Sequence, residues 1–281
     1  MEPIDIRKQQ QKIENINALP AAPGTFKKIS QVIGKPGLTL DEISRFVIGD
    51  PALTSKILKM VNSAAYGFPG RISSVSHAIM LLGLNVVKGL LLGVSVFEIM
   101  QKNMGGLWTH SLAVAAVSRA IAQKKGIKDP EEVSIAGLLH DLGKVIFLLE
   151  YQPLYEEAMT LAASRKIMIA EAELTCFQET HATIGAWLAK KWHFPLSLAE
   201  VIGCHHKPGA ASQAPMETAI VHFADILVRA RGVGYAGDPL VPVVNPNTFQ
   251  KLALQEADLL EVLDTLEGSL HELEGSLFDE L

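Results

Sequence analysis

Residues 135–144, Ile135-Ala136-Gly137-Leu138-Leu139-His140-Asp141-Leu142-Gly143-Lys144, set an adjacent histidine and aspartate at the end of an otherwise apolar run. The run reads as a buried helix. An imidazole and a carboxylate are costly to bury there unless both are paired or bind a metal. Gly143 permits the chain to turn, and Lys144 puts a cation beside the pair, where it could meet a phosphate oxygen.

Working outward, five more ligand-type side chains follow in a fixed order: His110 before this run, then His181, His205-His206 and Asp225 after it. Each lies in or beside an apolar, helix-like stretch. His110 falls in the first turns of a small-residue helix that continues through Ser111 to Val117, which suits close packing. His181 and Gly185 are four apart and share a helix face. His205 and His206 would differ by about 100° on a regular helix. Both can reach one point only if the helix ends there, and Pro208 predicts that ending because it disfavours helical geometry at Lys207. His222 and Asp225 are three apart on the apolar segment from Ala219 to Val228. A bundle of helices can aim all seven at one place, a ligand set suited to one or two transition ions. His77, His193 and His271 lack such company and read as ordinary core or surface histidines.

The rest of the chain is patterned for helices as well. Leu53, Ile57, Leu58 and Val61 form one apolar face, and Asp50-Pro51 before them reads as an N-cap followed by proline in the first turn. Thr39 reads as a cap with Glu42 as its capping-box partner. No alternating strand pattern bounded by hairpin turns is visible. The fold class expected is all-α: a helical N-terminal lobe, residues 1–103, packed on a helical metal-binding lobe, residues 104–281. Gly105-Gly106 marks the joint between them.

The 281 residues are 48% hydrophobic and 20% charged, with formal net charge −5, the composition of a globular protein with ample core. No basic stripe is present, so a nucleic-acid polymer is not an expected partner. Lys124-Lys125 and Lys190-Lys191 read as solvated helix ends. The two cysteines, Cys176 and Cys204, imply no disulfide framework and suit a reducing cytoplasm. Cys204 has two readings, a buried apolar residue or a thiolate ligand. Met1 to Gln11 lacks the apolar core of a signal peptide. Ala78 to Phe97 is apolar, but Asn85, Lys88 and three glycines argue for two buried helices meeting near Gly83-Leu84-Asn85 and against a membrane span.

Residues 231–247 are rich in Gly, Pro and Asn and read as a long loop, either a wall over the ligand series or a plain connector. Leu259, Leu263, Leu266, Leu270, Leu273 and Leu277 make a heptad seam with acidic neighbours. This is either a terminal amphipathic helix folded onto its own domain or a homodimerising helix. Tyr66-Gly67-Phe68-Pro69 is either an exposed docking loop or a packed turn.

The order His110, His140-Asp141, Asp225 resembles the H…HD…D signature of the HD superfamily of metal-dependent phosphohydrolases. His181 and His205-His206 resemble the further ligands of its HD-GYP branch. Leu19-Pro20-Ala21-Ala22-Pro23, Asp50-Pro51-Ala52-Leu53, Asn62-Ser63-Ala64-Ala65-Tyr66-Gly67 and Ile72-Ser73-Ser74-Val75 are similar to the HDOD domain, an all-α offshoot found in bacterial signalling proteins, and that likeness covers about residues 15–270. The sequence departs from HD-GYP after His205-His206, where Lys207-Pro208-Gly209 follows with no Glu and no Gly-Tyr-Pro.

The resemblance implies two divalent transition-metal ions, iron or manganese first, with nickel, zinc or cobalt as alternatives. Asp141 would bridge them; His110, His140 and Asp225 would complete one site and His181, His205 and His206 the other. Asp141 and Lys144 would serve hydrolysis of a phosphoester. The functional expectation is a signal-transduction protein with a di-metal centre, acting as a phosphohydrolase or phosphodiesterase. The alternative is a catalytically inactive scaffold for signalling partners, or a nucleotide-sensing module.

Overall fold

A computed structural model of the protein describes residues 4–15, 21–63 and 72–274, with side chains through residue 268. Among the described residues the chain is helical and contains no strand. The α-helices are α1 (Gln10–Glu14), α2 (Gly24–Ile33), α3 (Leu40–Ile48), α4 (Pro51–Val61), α5 (Val75–Asn103), α6 (Leu107–Lys124), α7 (Pro130–Leu139), α8 (Leu142–Glu150), α9 (Gln152–Arg165), α10 (Ile169–Phe177), α11 (His181–Lys191), α12 (Leu196–Cys204), α13 (Pro215–Ala230), α14 (Pro246–Leu252) and α15 (Glu256–Glu274).

Local chemistry sets several of these boundaries. Thr39 and Glu42 form the full capping box of α3, each side chain meeting the other's backbone N–H. Asp50 caps α4 through the N–H groups of Ala52 and Leu53, with Pro51 in the first turn. Gly83 takes φ 76° and ψ 171°, breaking α5 into two arms. The left-handed φ comes readily only to glycine. Val75–Asn103 is long and apolar enough to cross a membrane, but most of its apolar window is buried inside the fold. Gly106, at φ 92°, turns the chain from α5 into α6.

The long helix α5 packs on α2, α3 and α4 and also on α7 and α8. Buried residues of all these elements form a continuous hydrophobic cluster. Beyond it, α6 is clasped by α7, α13 and α15. The tail helix α15 buries Val262 and Leu266 and half-buries Leu259 and Leu263. Lys124 at the end of α6 ties it down through Asp258 and Glu261. The leucine seam therefore lies on its own chain as far as residue 266. The side chains of Leu270, Leu273 and His271, and all of Leu277, lie outside the described residues, as do Leu19-Pro20 and Tyr66-Gly67-Phe68-Pro69.

Lys88 of α5 is buried, and its ammonium donates to the carbonyls of Trp192 (2.6 Å) and His193 (3.2 Å) after α11. The Phe194 ring lies 4.6 Å from the same Nζ. Burial pushes Lys88 down from 10.5 to about 8. Between those values the unfolded chain still binds a proton that the folded chain has released. Stability therefore gains from this lysine as pH rises from about 8 to 10.5. Urea midpoints at the two ends of that window should rise for the wild type relative to Lys88→Met; parallel changes in both proteins would refute the assignment.

Candidate metal centre

The site is assembled from helix ends. His140 caps the end of α7 and Asp141 the start of α8. His110 lies one turn into α6, His181 opens α11, His205 and His206 follow the end of α12, and Asp225 is inside α13. The chain turns at His140-Asp141, two residues before the expected place. Gly143 is instead a helical residue of α8, and its role is close approach. A Cβ there would lie 1.9 Å from the carbonyl oxygen of His181. Gly185, one turn further along α11, faces Gly143 and Ile202 in the same crossing.

All seven predicted side chains meet. The ligand atoms of His110, His140 and Asp225 lie within 4.8 Å of one another, as do those of His181, His205 and His206, and those of His140, Asp141 and His205. Asp141 stands between the first two groups, with one oxygen 3.3 Å from His140 Nε2 and the other 3.1 Å from His181 Nε2. His110 Nε2 is 3.1 Å from Asp225 Oδ1. Lys144 donates to Asp141 at 2.7 Å and to the Ala236 carbonyl at 2.7 Å. Six of the seven are buried and His206 is partly open. His77 and His193 lie outside the cage, and Cys204 belongs to none of these groups.

The hydrogen bonds fix which ring nitrogens carry protons. Nδ1 of His140 faces the Gly137 carbonyl at 2.7 Å, and Nδ1 of His205 faces the Ile202 carbonyl at 2.7 Å. A carbonyl can only accept, so each Nδ1 is the donor. His181 Nδ1 faces Glu173 Oε2 at 2.7 Å and donates likewise. Each Nε2 is then left with its lone pair, aimed inward at Asp141 and at the other rings. His181 Nε2 is 2.9 Å from His206 Nε2 and 3.4 Å from His205 Nε2. His140 Nε2 has no hydrogen-bond partner among the described residues. Lone pairs and carboxylates converging in a dry space repel one another unless a cation lies between them. The donor set thus fits a transition metal.

The charge states agree. Burial pushes the pKa of His205 and His206 well down, and neighbouring imidazoles add to the effect. Burial also lowers His110, against the opposing pull of Asp225. Burial alone would raise Asp141, but His140, Lys144 and His181 hold it well below the usual carboxylate range. Asp225 is held low in the same way, by His110, His140 and Arg229. Neutral imidazoles and ionised carboxylates are the ligating forms. His181 runs the other way: burial pulls it down most, but Glu173 and Asp141 together shift it up.

Glu173 is the site residue that the sequence reading missed. It is fully buried on α10 and accepts from both the N–H and the Nδ1–H of His181 and from the Tyr155 hydroxyl. Its sequence signal is its spacing, four after Ile169 and four before Phe177, on the buried face of α10. His222 supports the cage from outside, donating from Nδ1 to the His205 carbonyl.

The loop after α13 is a wall. Tyr235 N–H donates to the Gly106 carbonyl, and Gly234 lies against the backbone of His110. A cleft of about 330 Å³ reaches His206 from the outside, lined also by Ile169, Thr180, Lys207, Arg229 and Pro242.

Helices stacked around a buried cage of imidazoles and carboxylates define an all-α protein with a candidate metal centre. Residues 19–208 match the sequence profile of the HDOD domain, and the chain belongs to the HDOD family. An uncharacterized protein of Treponema pallidum (strain Nichols) is 28% identical over 236 residues, 80% of this chain and 46% of the relative. The chain thus spans about half the length of the curated relative it matches. The crystal structure of an HDOD protein of unknown function from Geobacter sulfurreducens superposes with a TM-score of 0.68 at 25% identity, covering 98% of this chain and 99% of that one. A Marinobacter aquaeolei VT8 protein provisionally assigned to signal transduction gives 0.66 at 18% identity, covering 96% and 66%. A Shewanella amazonensis SB2B protein provisionally assigned as a metal-dependent phosphohydrolase gives 0.57 at 20% identity, covering 94% and 95%. The last two speak for the fold.

Proposed function

We propose that this HDOD protein is a bacterial signal-transduction module built around a two-ion transition-metal centre that acts on, or senses, a phosphoester or nucleotide. The observation that carries the reading is the set of inward Nε2 lone pairs around Asp141. His110, His140 and Asp225 would hold one ion and His181, His205 and His206 the other, with Asp141 shared. Iron or manganese suits this mixture of imidazole and carboxylate. The ions would supply Lewis acidity toward a phosphoryl oxygen and lower the pKa of bound water.

The chain's own groups have separate tasks. Glu173 keeps the His181 proton on Nδ1. Lys144 balances Asp141. The surrounding apolar helices exclude water. A phosphoester would approach through the cleft beside His206 and Lys207. A second reading, a module that uses the metal without turnover, is favoured by the burial of six of the seven residues. The free, separated cysteines suit a cytoplasmic location.

The test has two parts. After anaerobic reconstitution with Fe(II) or Mn(II), elemental analysis should find about two ions per chain, and Asp141→Ala should lose them. The loaded wild type should then hydrolyse bis-p-nitrophenyl phosphate or a cyclic dinucleotide far faster than the variant. Fewer than about one ion per chain would defeat the metal reading. Equal residual rates in a loaded wild type and the variant would leave the non-catalytic one.

A further inference from the structure

We infer that residues 232–242 form a latched strap that gates the exchange of metal at the centre, with Asp238 as the latch. The inference rests on the metal reading above and assigns it a point of control. The strap runs against the start of α6, beside the cage. Gly234 lies so close to α6 that a Cβ would come within 2.4 Å of the Gly106 oxygen and the His110 nitrogen. The Ala236 carbonyl receives the Lys144 ammonium, whose other partner is Asp141. Strap backbone therefore touches one expected ligand and is one side chain away from another.

Little apolar surface holds the strap down. Val233 and Ala236 are its buried apolar side chains, while Tyr235 and Pro239 are exposed. Three of its glycines, 232, 234 and 237, have left-handed φ, so the segment changes direction at several points. What fixes it is a polar cluster at one end. Asp238 is buried, pairs with Arg229, and accepts from the backbone N–H of Ile169 (2.8 Å) and of Leu240 (2.9 Å). Arg229 Nε also donates to the Leu240 carbonyl. These bonds tie the strap to the start of α10 and the end of α13.

The same residues form the rim of the cleft that reaches His206: Ile169, Arg229 and Pro242 all line it. Releasing Asp238 would widen the opening to the partly open ligand and free the backbone over the buried ones. A segment held by few apolar contacts and a handful of polar ones belongs to the low-stability end of a fold, where opening is local. None of the seven expected ligands is part of the latch, so loosening it changes access while leaving the ligand set intact.

Cobalt(II)-loaded full-length protein gives the test. Excess EDTA is added, and loss of the cobalt visible absorption is timed in wild type and in Asp238→Asn. Removing the charge-assisted bonds should speed release by about tenfold or more, with unchanged cobalt stoichiometry and spectrum. Hydrogen exchange at the amides of residues 233–240 should quicken in the variant, while α6 and α7 stay protected. Asp238→Glu, which keeps the charge but moves it away from the Ile169 and Leu240 N–H groups, serves if Asp238→Asn does not fold. Release as slow as in wild type from a folded variant would overturn the gate and leave the metal reading standing. A wild type that takes up no cobalt would remove that reading, and the gate with it.

Discussion

Gly143→Ala is expected to cost the protein about 3 kcal/mol, a large share of the stability of a typical domain. The added methyl would sit 1.9 Å from the His181 carbonyl oxygen and 2.7 Å from its carbon. Both are main-chain atoms at the first residue of α11, so no side chain can rotate out of the way. The helices α8 and α11 would have to separate, and that movement pulls His181 from Asp141. Gly209→Ala is the control, since nothing lies within 4 Å of a Cβ there. Urea unfolding followed by circular dichroism should show a sharp loss for the first and little change for the second. Equal midpoints would mean that α8 and α11 do not touch in this way.

Glu173→Gln should weaken metal binding by roughly 10–100-fold, the usual effect of removing a carboxylate behind a ligating histidine. Glutamine keeps the shape, but it takes away the charge that raises His181 and offers one accepting oxygen where three donors point. Glu173→Ala goes further and strands the His181 and Tyr155 donors in the core, at roughly 1–3 kcal/mol for each buried group left without a partner. Competition against a chromophoric chelator reads the first effect and urea midpoints the second. Wild-type affinity in Glu173→Gln would show that His181 needs no anionic support.

The fold was legible because helix periodicity and caps are local. Thr39 with Glu42, and Asp50 with Pro51, act within one turn of chain, and the structure holds both as read. The break in the long apolar stretch at Gly83 was visible for the same reason. The meeting of seven ligand-type residues could be anticipated from their placement in or beside apolar helical runs, where a helix delivers a side chain to a neighbour. Distance relations across the fold were harder to read. Gly143 looked like a turn residue because sequence shows flexibility and not what stands opposite. Glu173 was passed over, since its partner His181 lies beyond the end of its helix. The loop after α13 left wall and connector undecided, because its contacts are made by backbone to α6 and by Ala236 to Lys144.

The rings of His140 and His205 are each held by the carbonyl three residues earlier in their own helix. Those carbonyls are present whatever side chain occupies positions 137 and 202. Two of the seven inward-facing groups are thus aimed by the covalent spacing of the main chain. Position 137 nonetheless admits little change, since a Cβ there would lie 3.0 Å from the Val114 carbonyl oxygen and 3.1 Å from the Ala115 Cα of α6.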